Sequence, residues 1–142
     1  MKQLTTLFLS LALALCAGWH SAYASDQIIV VANTSDDTLM LTREQVRNLF
    51  MGASVGRDLH PIALPPKHRT RSLFNTKVVG LAESRVQSYW AQMKFTGRRS
   101  PPMEVGDEEA MLRYLNEHQN SIGYLTASTD LPDSLKVIYT TE

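Results

Sequence analysis

Hydrophobic and polar positions along the chain alternate between two kinds of run. "QIIVVAN", residues 27–33, is continuous and β-branched, the pattern of a strand buried on both faces. "TSDDT" follows as a polar loop. "LTREQVRNLFMG" then takes up a helical period, with Val46, Leu49 and Phe50 on one face. Thr42 with Gln45 three residues on reads as a capping box, and Leu41 can staple onto Val46. Gly52 is placed to close this helix in a left-handed conformation.

A short strand is predicted over 58–64, stopped by Pro65-Pro66. Helical spacing resumes at about Arg69, with Leu73, Phe74 and Val78 apolar, and runs to Gly80. A further helix carries Val86, Trp90 and Met93 on one face and stops at Gly97. "GRRSPPMEVG" reads as an exposed basic loop. Asp107 caps the next helix, where Glu108 and Glu109 sit at the positive end of the peptide dipoles. "SIGYLTA" and "LKVIYTT" are the last two strands, split by "STDLPDS". The order β-α-β-α-α-α-β-β predicts an α/β fold, a central mixed sheet flanked by helices. The first crossovers are expected to be right-handed and parallel. The direction of the last strand stays open.

The N-terminus changes the picture. Lys2, the apolar "LFLSLALALCAG" and the small residues of "AYAS" have the layout of a secretory leader cleaved after Ala24. The apolar run is shorter than the ~20 residues of a membrane helix. Leu15 before Cys16 argues against a lipid-anchored cysteine. Removing 24 of the 142 residues leaves 118, one domain (25–142) without cysteine, whose core must hold without disulfides. Lys2 is the only charge removed, so 13 basic and 14 acidic side chains remain, a net of −1. This balance argues against nucleic acid or an anionic membrane surface as a bulk partner, so any attraction to anions must come from local clustering. The expected location is the periplasm.

Candidate chemistry concentrates in "LPPKHRTRSLFN", residues 64–75. Lys67, His68, Arg69, Thr70, Arg71 and Ser72 crowd a helix start that follows a strand. The first N–H groups of a helix lack intrahelical partners and carry partial positive charge. Thr70 and Ser72 can donate to an oxyanion, and Arg69 and Arg71 can add bidentate bonds. Arg98 or Arg99, on the later basic loop, could cover such an anion, although a basic loop tip also suits plain solvent exposure. The same residues also suit an ordinary solvated helix start, with Thr70 merely capping. His60, His68 and His118 lack metal-ligand spacing. No hydrolase, metalloprotease or phosphate-loop pattern occurs, and His68 near Ser72 has no third orienting group. Neither an enzyme nor a cofactor is expected.

"LTREQVRNLFMG", the Pro-x-x-x-x-Thr-Arg-x-x-Phe pattern from Pro65 to Phe74, "YWAQMKFTGRRSPP" and "SIGYL" occur in an order that resembles the phosphate ABC-transporter substrate-binding protein family. The resemblance is to its short, single-lobe members and covers nearly all of 25–142. It implies a type II periplasmic-binding-protein-like lobe. It also implies a phosphate-holding helix start in which Thr70, Arg71 and Phe74 match the family pattern. His68 and Arg69 stand where serine and glycine are expected. An open single lobe leaves donors competing with water and salt, so anion affinity is expected to be weak. Two readings stay open. One is a module binding phosphate or a related oxyanion in uptake or sensing, with an ABC permease as partner. The other is an interaction protein that kept the lobe and lost the ligand, touching another envelope protein or forming a homodimer.

Overall fold

A computed structural model describes residues 26–142. The leader, its cleavage after Ala24 and Cys16 lie outside the described residues. Five strands form one sheet: β1 (Ile28–Ala32), β2 (His60–Ala63), β3 (Met103–Glu104), β4 (Ser121–Thr126) and β5 (Lys136–Thr140). The helices are α1 (Arg43–Phe50), α2 (Arg69–Phe74), α3 (Glu83–Phe95) and α4 (Glu108–Glu117). A π-helical turn, Asn75–Val79, continues α2. The order across the sheet is β3-β2-β4-β1-β5.

Every residue of β1 is buried, as its apolar run predicts. Its direction differs from the expectation. β1 is antiparallel to both neighbours, β4 and β5, while β2 runs parallel to β4 and β3. β4 inserts between β1 and β2, so the first two strands never pair. The last strand, β5, is antiparallel to β1. β3 was also missed. Two residues inside the basic loop pair with Ile62 and Ala63 and form a short edge strand. Such brevity limits the unpaired edge available to other chains.

The helix ends follow their capping chemistry. Thr42 Oγ1 accepts from Gln45 N at 3.2 Å, and Gln45 Oε1 accepts from Thr42 N at 2.8 Å. Asp107 Oδ1 accepts from Ala110 N at 2.7 Å. Each cap is worth about 1 kcal/mol. The π-helical turn ends at Gly80, which adopts φ +75°. Arg43 and Arg47 of α1 donate to the carbonyls of Lys77 and Val79, at 2.8 and 3.0 Å, tying that turn to the first helix.

Phe50, Phe74 and Tyr124 join α1, α2 and β4 in the core. Phe74 stacks on Tyr124 with ring centroids 4.0 Å apart, and Phe50 meets both edge-on. Such pairs add about 0.5–1.5 kcal/mol each beyond area burial. The Tyr124 hydroxyl accepts the Leu64 N–H at 3.0 Å, just past the end of β2. Burial pushes this phenol well above its ordinary pKa, so it stays protonated in any folding buffer. Tyr124→Phe should keep the ring packing and leave the buried Leu64 N–H without a partner. A loss of about 1–3 kcal/mol in urea denaturation is expected. An unchanged midpoint would refute this role for the hydroxyl.

Candidate functional site

Pro65-Pro66 ends the β2 segment, and His68 caps α2, its Nδ1 accepting from Thr70 N at 3.2 Å. The turn brings Thr70 and Arg71 to the carboxyl ends of β2 and β4. Both are buried, at 2 and 6 % exposure. Thr70 Oγ1 donates to Glu108 Oε1. The other Glu108 oxygen accepts from Thr126 Oγ1 at 3.0 Å, with Thr126 N at 3.4 Å. Thr129 Oγ1 lies 3.3 Å from the Thr126 hydroxyl. A carboxylate thus sits between hydroxyls contributed by α2 and the end of β4.

Arg71 faces a different set of groups. Its Nε and Nη2 donate to the two oxygens of Glu83 at 2.9 and 2.7 Å, a bidentate pair. Its Nη1 donates to Leu64 O at 2.6 Å and to Glu104 Oε1 at 2.7 Å. Asn75 and Gln87 add donors to Glu83, both within 2.7 Å. Burial opposes the guanidinium charge, but the bonds from Glu83 and Glu104 outweigh it and raise the Arg71 pKa further. One guanidinium thus faces two carboxyl groups.

Among the other sequence candidates, Arg69 is exposed and paired with Asp26. Ser72 is exposed, its hydroxyl 3.5 Å from His68 O. Arg98 stands exposed after α3, with no ion pair among the described residues. The structure gathers Thr70, Arg71 and His68 at the strand ends and directs Arg69 and Ser72 elsewhere. Sequence reasoning missed Glu108 as a site group, together with Thr126, Glu83 and Glu104. Glu108 was visible only as a favourable charge in the first turn of α4, and nothing in its spacing pointed to Thr70, 38 residues away.

A small cleft of about 90 Å³ opens beside this network, walled by Phe50, Phe74, Trp90 and Tyr124 with Arg71 and Glu104 at one side. Among the described residues no cluster of three or more His, Cys, Asp or Glu could hold a metal. Likewise, no described helix is long and apolar enough to cross a membrane.

No protein-family model matches this chain, and neither does any curated protein. Among solved structures, the chain is similar to an ABC-type phosphate transport receptor from Vibrio cholerae, at 19 % identity and a TM-score of 0.57. The match covers 78 % of this chain but only 44 % of the receptor. The chain therefore spans less than half the length of that receptor, and its mixed sheet with flanking helices is the fold of one periplasmic-binding-protein-like lobe.

Proposed function

We propose that this lobe takes phosphate or a related oxyanion weakly, in exchange for the Glu108 carboxylate between Thr70 and Thr126, and serves uptake or sensing in the cell envelope. The observation that carries this reading is the internal carboxylate itself. Two hydroxyls and a backbone N–H converge on Glu108, and an oxyanion asks for the same donors. The fold likeness to a phosphate transport receptor supports phosphate as the anion. The leader directs export, and an ABC permease is the partner expected for uptake. Affinity is low for two reasons. The ligand must displace a tethered competitor, and the nearby Arg71 is already engaged by two carboxyl groups, Glu83 and Glu104.

Calorimetry with inorganic phosphate at low salt tests the proposal. The native chain should bind no more tightly than about millimolar, and Glu108→Ala should gain at least about tenfold, or 1.4 kcal/mol, by vacating the seat. Adding Thr70→Ala should abolish the gain. Absence of heat in both the native chain and Glu108→Ala overturns the reading.

One observation favours a second reading, an envelope interaction protein without a ligand. Arg71, the strongest anion-binding group the sequence offers, is buried and has its donors engaged. Under this reading Glu108→Ala gains no phosphate affinity, and a partner protein binds equally well with and without phosphate.

A further inference from the structure

We propose that the tip following α3 docks this protein on an anionic phospholipid surface, a role independent of any ligand at Thr70. Phe95, the last residue of α3, is 93 % exposed, an extreme value for a large aromatic ring. Residues 94–101 are exposed without interruption. Lys94, Arg98 and Arg99 flank the ring, and none of them makes an ion pair among the described residues. No acidic residue occurs between Glu83 and Glu104. In a chain of nearly balanced charge, this is a local cationic projection bearing one apolar group.

The projection is built rather than loose. Arg98 N donates to Met93 O at 3.2 Å and Gly97 N to Lys94 O at 3.1 Å, the paired bonds of a Schellman cap. Gly97 supplies the required left-handed conformation, at φ +67°. Thr96 Oγ1 adds a bond to Met93 O at 3.0 Å. Arg99 lies against the body of the lobe, because a Cβ on Gly52 would stand 3.0 Å from both Arg99 Cδ and Trp90 Cη2. Phe95 therefore points outward from a closed helix end, with its cations in the adjoining turn.

The shape selects the occupant. A stable protein interface needs roughly 800 Å² a side with a packed apolar centre, and one ring on a convex tip does not supply it. A lipid headgroup layer needs only an aromatic ring at the interface and cations near the phosphates. Each such cation strengthens binding about fivefold.

Cosedimentation with vesicles of phosphatidylglycerol and phosphatidylcholine in equal parts, against phosphatidylcholine alone, tests this. Binding to the mixed vesicles should be at least about tenfold the stronger and should fall with added salt. Phe95→Ser and the double variant Arg98→Gln, Arg99→Gln should each weaken it at least about fivefold, with folding verified by circular dichroism. These residues are exposed, so both variants should fold. Equal binding by native and variant proteins, or no vesicle binding at all, overturns the proposal. Soluble polyglutamate is the control for an acidic protein partner. If it binds the tip as tightly as the mixed vesicles do, the lipid assignment falls.

Discussion

Arg71→Met should lower the unfolding free energy by about 3–5 kcal/mol in urea denaturation, the largest effect expected of any single substitution in the site. The guanidinium side chain is only 7 % exposed, and Glu83 opposite it 24 %. Methionine fills much of the same volume but carries no charge. Glu83 would keep Asn75 and Gln87 as donors, yet lose its bidentate partner. Leu64 O would lose a buried donor. Glu104, at 45 % side-chain exposure, can turn to water and contributes less to the loss. The cost thus arises mainly from stranding Glu83. A triple variant with Glu83→Leu and Glu104→Leu added removes the stranded charges and should recover most of the stability. A single variant within 1 kcal/mol of the native chain would show that Arg71 is held for something other than this network.

Gly123→Ala should cost about 1–3 kcal/mol, by crowding rather than by backbone strain. Gly123 lies in β4 beneath α4. An added Cβ would stand 2.4 Å from Met111 Sδ and 3.3 Å from Leu115 Cδ1. Both neighbours are fully buried, so neither can swing clear into solvent. Met111→Val also destabilises by opening space at the same spot. The double variant should therefore lose less than the sum of the singles, by at least about 0.5 kcal/mol. Strict additivity in thermal and urea melts would contradict the contact.

Both variants bear on what the sequence could disclose. β1, the Thr42–Gln45 capping box and the αL glycines after the helices were legible because each depends on neighbours within a few positions. The reverse direction of β1 was not legible, since the residues that decide it lie at 121–126. The surroundings of Arg71 were hidden for the same reason. A basic residue in a polar helix start looks solvated until Glu83 and Glu104 arrive, 12 and 33 positions later. In the sequence Glu108 is only a dipole partner of its own helix. Only the fold shows that it also reaches Thr70. β3 escaped because two residues carry no periodicity.

The placement of β1 also sets a timetable. Its partners are residues 121–126 and 136–140, so Ile28–Ala32 emerge from the ribosome long before anything can pair with them. The native sheet cannot close while those residues are unmade. High sequence separation of this kind slows folding, because a long loop must be ordered before any strand contact rewards it. A five-residue apolar stretch is meanwhile left for a holdase to cover.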